Sequence, residues 1–231
     1  MSFVPYRETH RRRKRQPLDR AQIVRAALAL LDEVGLDDLT MRRLAEKLGV
    51  KAASLYRHVR DKEELLVLLA DEITGEIPVV EPRGSWKEQL VEMARNVRRG
   101  LLAHRDGARL LASTAPFGPQ RLRHIEAVLR TLRSAGLSGG DAARAAYHMN
   151  NLVTEFVADE GRFDQQAEAM GTTRRKMLGE ARRYFSALPK DEFPNIVELA
   201  ADLADDDADG LFQFGVQVWL RAIEQLSRGR G

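Results

Sequence analysis

The chain has 231 residues, 44% of them apolar and 31% charged, enough for a substantial core and inconsistent with a disordered polymer. It has no cysteine, which excludes disulfides, thiolate metal sites and a cysteine nucleophile. No uninterrupted apolar run reaches the roughly 18 residues a membrane helix needs, and the N-terminus lacks a signal-peptide core. A cytoplasmic protein without a membrane partner is expected.

The net charge of +3 conceals an asymmetry. Residues 1–60 carry 14 Lys and Arg against 7 Asp and Glu, whereas residues 61–231 carry 23 against 27. A basic first quarter on an acidic remainder suggests that one end meets a polyanion. Residues 1–17 read as a basic flexible arm, with six cations between Arg7 and Arg15. Such an arm either keeps the protein soluble or lies along phosphates or in a minor groove, and the charge of the adjoining segment favours the second.

The elements that follow are helical, giving an all-α fold. In "LDRAQIVRAALALLDEVG" Asp19 and Gln22 have capping-box spacing, with Leu18 and Ile23 as a hydrophobic staple and Gly35 as the stop. Thr40 caps "MRRLAEKL", which Gly49 closes. A third helix is expected over "AASLYRHV". Asp61 then caps "KEELLVLLADEITGEI", with Glu64 completing a capping box. No alternating strand-like run of convincing length occurs.

Three helices within about 45 residues, the last pair joined at "GVK", predict a helix-turn-helix DNA-binding domain over residues 18–61. Leu44, Leu48, Val50, Leu55 and Val59 suit the inner face. That leaves Ala52, Ala53, Ser54, Tyr56, Arg57 and His58 on the other sides of the third helix. Arg42, Arg43, Lys51 and Lys62 cluster nearby. A groove-entering helix uses this mixture: cations and hydroxyls for phosphates and base edges, and small residues for close approach. A core helix with an incidentally polar face accounts for it poorly.

The stretch "LTMRRLAEKLGVKAASLYRHVRDKEELL" resembles the DNA-binding domain of the TetR family of bacterial transcriptional regulators. The resemblance rests on Leu39-Thr40, Leu44-Ala45, Leu48-Gly49-Val50, Leu55-Tyr56, His58-Val59 and Lys62. It implies that Thr40, Arg42, Ala52, Ser54, Tyr56, Arg57, His58 and Lys62 face a double-stranded operator. Thr40 and Tyr56 are implied as phosphate contacts, and Arg42, Ala53, Ser54 and Arg57 as base readers.

Residues 62–231 are expected to form a larger helical ligand-binding and dimerisation domain, with helix 62–77 linking it to the first. "PVVEPRG" precedes a helix that Ser85 and Glu88 box, and "APFG" precedes one running from near Pro119 to Gly136. A helix is expected from Asp141 to about Glu160, then helices around "TRRKMLGEARRYFSAL" and "FPNIVELAADL". In the last helix Phe212, Val216, Trp219, Ile223 and Leu226 form one apolar stripe and Leu211, Phe214 and Val218 another. A helix apolar on two faces is buried on both, in a core or across a partner. Phe212, Val216, Trp219 and Ile223 are the expected homodimer interface. The resemblance implies a four-helix dimer bundle built from this helix and the 141–160 helix.

"LLAHRDGARLLASTAP" is similar to the corresponding stretch of the tetracycline repressors and places a small-molecule effector pocket here. Thr114 and Pro116 are kept. The magnesium-binding His of those sensors aligns with Leu111, their drug-contacting Arg with Ala115, and a further His with Pro78. The pocket location carries over, and the drug–metal chemistry does not. Candidate ligand contacts are Met93, Val97, Leu111, Thr114, Pro116, Phe117, Ile125, Leu129, His148, Asn151 and Glu155, each of which would serve equally in a plain core. The polar ones are open to satisfaction within the chain or across a dimer.

Enzymatic readings find no support. The five His form no metal-ligand pair, and HExxH, P-loop and GxSxG motifs are absent. "DLADDDADG" lacks the EF-hand glycine and glutamate and reads as a loop capping the last helix. No cofactor is expected. The expected function is a repressor released from a palindromic operator by a small, largely apolar molecule. The alternatives are control by a protein partner or no effector, and a helical enzyme or scaffold with a basic tail.

Overall fold

A computed structural model describes residues 18–228, which form helices and loops without a strand. Helices α1 (Arg20–Val34), α2 (Met41–Leu48), α3 (Ala52–Leu55) and α4 (Lys62–Gly75) come first. They are followed by α5 (Trp86–Leu102), α6 (Gly107–Ala112), α7 (Pro119–Ser134) and α8 (Gly139–Ala169). Helices α9 (Arg174–Ser186), α10 (Pro194–Glu198), α11 (Ala200–Leu203) and α12 (Ala208–Arg228) complete the chain.

Local chemistry sets most boundaries. Asp19 and Gln22 make a reciprocal capping box at α1, and Ser85 and Glu88 make another at α5. Thr40 accepts from the Arg43 N–H at 3.2 Å to start α2. Gly49 ends α2 in the left-handed region at φ 63, and Val50 N–H bonds back to the Ala45 carbonyl at 3.0 Å. At α4 the expected box is modified. Asp61 caps through the Glu64 N–H, but the Glu64 carboxylate accepts from Arg60 N–H at 2.7 Å rather than from Asp61.

Three expectations change. Regular helix α3 is short, and Tyr56, Arg57 and His58 occupy the turn after it, where His58 N–H and Val59 N–H both bond to the Leu55 carbonyl. Helix α8 runs past Glu160 to Ala169. Gly161 does not adopt a positive φ, and Ala167, buried beyond it, gives the extension an apolar anchor. "FPNIVELAADL" divides into α10 and α11. The short α6, within "RDGARLLAS", was not anticipated.

Two cores result. The first joins α1–α4 with Leu101, with Leu110 and Leu111 of α6 and with Val157 and Ala158 of α8. The second joins α5, α7, α8 and α12. The helix-turn-helix therefore shares a continuous apolar cluster with α6 and α8 instead of closing on itself. Arg98 of α5 ties α8 to α12 beside these cores, pairing with Glu160 at 2.8 Å and Asp209 at 2.6 Å and stacking on Phe156 and Phe212. Among the described residues no helix is long and apolar enough to cross a membrane.

Candidate DNA-contact surface and ligand cavity

The first surface is built on the α2–α3 turn. Leu44, Leu55 and Val59 are fully or almost fully buried in the first core, where α3 packs on α2 and α2 on α1. Thr40, Arg42, Arg43, Lys51, Ala53, Tyr56 and Arg57 are exposed, while Ala52, Ser54, His58 and Lys62 are half-buried. Ten of the eleven candidates thus lie on α2, α3 and the adjoining turns, and Lys62 opens α4. Tyr56 is 51% exposed, which costs apolar area without an evident return inside the chain. Arg42 pairs with Glu46 at 3.5 Å and Arg43 with Asp38 at 3.2 Å. Exposed pairs of this kind are worth about 0–1 kcal/mol, so a phosphate displaces them at little cost. The basic cluster Arg7–Arg15 lies outside the described residues.

A second site opens between α4, α6, α7 and α8. It is a cavity of about 640 Å³ whose lining includes Val97, Leu111, Thr114, Pro116, Ile125, Leu129, Asn151 and Glu155. Eight of the eleven candidate ligand contacts therefore meet in one place. The other three do not. Met93 is packed in the second core, Phe117 is 79% exposed, and His148 is exposed with its ring edge-on to Tyr147. Helix α8 contributes Ala143, Ala146, Tyr147, Asn150, Asn151, Thr154 and Glu155 to the lining, and the exposed His148 is not among them although it lies only three residues before Asn151.

Residues that had not been anticipated line the same cavity, among them Ile77, Arg121, His124 and Tyr147. Arg121 was legible only as one charge in an amphipathic helix, and its burial is a tertiary fact. Burial pushes the His124 imidazole below its ordinary value, outweighing its bonds to the backbone of Ile77 and Thr74, so the ring is neutral at pH 7. The Thr154 hydroxyl is satisfied by the Asn150 carbonyl at 2.8 Å within its own helix. Leu111 sits in the wall, whereas Ala115 and Pro78 are exposed outside the lining. Among the described residues no three His, Cys, Asp or Glu side chains converge at a metal-holding distance.

Helix α12 corrects the expected interface. Phe212, Val216 and Ile223 are buried with Leu220 in the chain's own second core, and Trp219 is half-buried against it. A side chain already enclosed by its own protomer offers no surface to another. The outward face carries Leu211, Phe214 and Val218, exposed by 62%, 66% and 49%. The acidic loop before α12 ends in a cap: Asp207 accepts from Gly210 N–H at 2.8 Å.

Comparison with known proteins agrees with this geometry. The tetracycline repressor protein class A of Escherichia coli is 42% identical over 156 residues, covering 65% of this chain and 71% of its own length. Apo ActR of Streptomyces coelicolor superposes with a TM-score of 0.84 at 34% identity, covering 94% of this chain and 99% of that one. ActR in complex with actinorhodin gives 0.81 at 37% identity, covering 90% and 95%. Residues 23–69 match "Bacterial regulatory proteins, tetR family", and residues 77–226 match "Tetracyclin repressor-like, C-terminal domain". The chain belongs to the tetR family of bacterial regulatory proteins, DNA-binding transcriptional repressors that respond to small ligands.

Proposed function

We propose that this chain is a homodimeric repressor that holds a palindromic operator and releases it when a largely apolar organic molecule fills the cavity between α4, α6, α7 and α8. The observation that carries this reading is the cavity itself. Its volume of about 640 Å³ suits a small organic ligand, and its walls are mainly aliphatic. Leu111 stands where a metal-anchored drug would need a ligand. ActR, which matches 90% of this chain, forms a complex with actinorhodin. The operator contacts are assigned to Thr40, Arg42, Arg43, Lys51, Ala52, Ala53, Ser54, Tyr56, Arg57, His58 and Lys62. Two such surfaces, one per protomer, would read two half-sites.

The dimer face is assigned to the outer side of α12, where Leu211, Phe214 and Val218 make an apolar patch of helical periodicity. Ligand releases DNA only if it favours the non-operator conformation. An operator-release assay tests the whole reading. Apolar polycyclic compounds with EDTA present should release the operator, and a tetracycline with magnesium should not. Release by the tetracycline alone, abolished by EDTA, would overturn the effector assignment.

A further inference from the structure

We propose that the effector carries an acidic group, a carboxylate or an ionised phenol or enol, and that Arg121 is its anchor. The proposal rests on the cavity being the effector site and narrows what that site accepts.

Arg121 lines the cavity and is only 8% exposed. Arginine is seldom buried to this degree without a carboxylate against it. Here every hydrogen-bond acceptor is neutral. Nη1 donates to the Thr114 hydroxyl at 2.8 Å, the Thr114 carbonyl at 3.0 Å and the Ala115 carbonyl at 3.4 Å. Nη2 donates to the Leu111 carbonyl at 3.3 Å. No hydrogen bond from Nε is found among the described residues.

The neighbouring acid is engaged elsewhere. Asp71 accepts from the backbone N–H of Gln120 at 2.9 Å and of Arg121 at 3.0 Å, so its oxygen caps the first turn of α7 and does not touch the guanidinium. The acidic side chain in the cavity lining, Glu155, is exposed on α8, where water solvates its charge.

A clasp on the carbonyls that follow α6 accounts for the Nη contacts. It leaves the buried guanidinium without a bonded carboxylate and the Nε–H without a partner among the described residues, although Nε is not sealed from solvent. Burial weakens the hold of Arg121 on its proton more than the charge of nearby Asp71 strengthens it, but a guanidinium does not lose that proton near neutral pH. A fixed cation therefore stands in a wall whose other members are aliphatic side chains, neutral polar groups such as Thr114, His124 and Asn151, and the exposed Glu155. An acid oxygen reaching Nε–H and the second Nη2–H would add a directly bonded negative charge, which Asp71 does not supply, through two parallel charge-assisted bonds. The aliphatic side chains of Leu111, Ile125 and Leu129 would enclose the rest of the molecule.

The test uses the purified full-length protein at pH 7.5 with three compounds: anthraquinone-2-carboxylate, its methyl ester and unsubstituted anthraquinone. Calorimetric titration should show the acid binding at least about tenfold more tightly than either neutral compound, a margin that two charge-assisted bonds to a buried cation supply. Arg121→Met should erase that margin, and Arg121→Lys, which keeps the charge, should restore part of it. Equal or tighter binding of the ester overturns the proposal and leaves the apolar-cavity reading standing. So does a margin that survives Arg121→Met in a variant with unchanged circular dichroism. Failure of all three compounds to bind counts against both readings. If Arg121→Met does not fold, the acid-to-ester ratio in the unmodified protein and in Arg121→Lys decides.

Discussion

Asp106 accepts a hydrogen bond from the backbone N–H of Leu36 at 2.9 Å, across 70 residues of sequence. Asp106 opens α6 with a left-handed φ of 57, and Leu36 follows Gly35, which ends α1. Close approach also constrains Gly35, at φ 80, where an added Cβ would lie 2.9 Å from the Asp106 carboxylate. The same carboxylate accepts from Arg109 and Gln165, each at 3.1 Å. Since Leu111 of α6 lines the cavity, the bond joins the cavity wall to the DNA-contact unit. Coupling between two sites requires a joint of this kind.

Asp106→Ala should leave the Leu36 N–H without its partner and lower stability by about 1–3 kcal/mol at pH 7. Burial alone would raise the Asp106 carboxyl, but the bonds from Leu36, Gln165 and Arg109 together hold it below its ordinary 3.8. Its contribution is therefore present above pH 3.8 and lost as pH falls through the lower folded value. Urea titrations of both proteins from pH 7 down to pH 3 check this. A gap that grows towards acid would contradict it.

A second contact between the same two regions has the opposite pH dependence. His104, between α5 and α6, lies 3.1 Å from Asp32 of α1 and 3.0 Å from Glu76 at the end of α4. Burial opposes its protonation, but the two carboxylates outweigh burial and raise it above the ordinary 6.5. A raised value means the stabilisation is complete below pH 6.5 and disappears as pH rises through the folded value. Melting temperatures of the unmodified protein and His104→Gln should differ most near pH 6 and converge towards pH 9. Parallel curves would exclude the charged clamp.

On the DNA-contact surface, Tyr56→Ala should weaken binding to every sequence alike, as loss of a phosphate contact does. Arg57→Ala should in addition relax preference at particular base pairs by about 1–3 kcal/mol. Both side chains are exposed, so neither change should alter folding. Titrations over a matched set of operator variants separate the two. An unchanged rank order for Arg57→Ala would remove its base-reading role.

The two faces of α12 should respond differently to charge. Phe214→Arg places a cation on the 66%-exposed outer face and should give a folded monomer that no longer binds the palindrome. Phe212→Arg buries a cation in the second core, where Phe212 is 2% exposed, and should cost several kcal/mol and unfold the chain. Sedimentation with circular dichroism reads both. A Phe214→Arg protein that remains dimeric would move the interface off this face.

Much was determined by short-range chemistry. The caps at Asp19, Thr40 and Ser85, the stops at Gly35 and Gly49 and the helix-turn-helix spacing depend on residues within a turn of one another, so the linear order reveals them. The exposed set around Tyr56 and Arg57 followed, because Leu55 and Val59 turn inward and leave the intervening side chains outside, although these lie in the turn after α3 and not on the helix. What tertiary structure alone decided concerns faces and charges. Both stripes of α12 are apolar, and only packing against α5 and α8 shows that Phe212 turns inward and Phe214 outward. His148 and Asn151 read alike in an apolar helix until the cavity selects one of them. Arg121 is an ordinary helix cation in the sequence. It becomes a buried charge facing neutral acceptors because Asp71, 50 residues earlier, is taken up by the backbone of α7. Pairing across such distances depends on which helices meet, and no local pattern of residues encodes that.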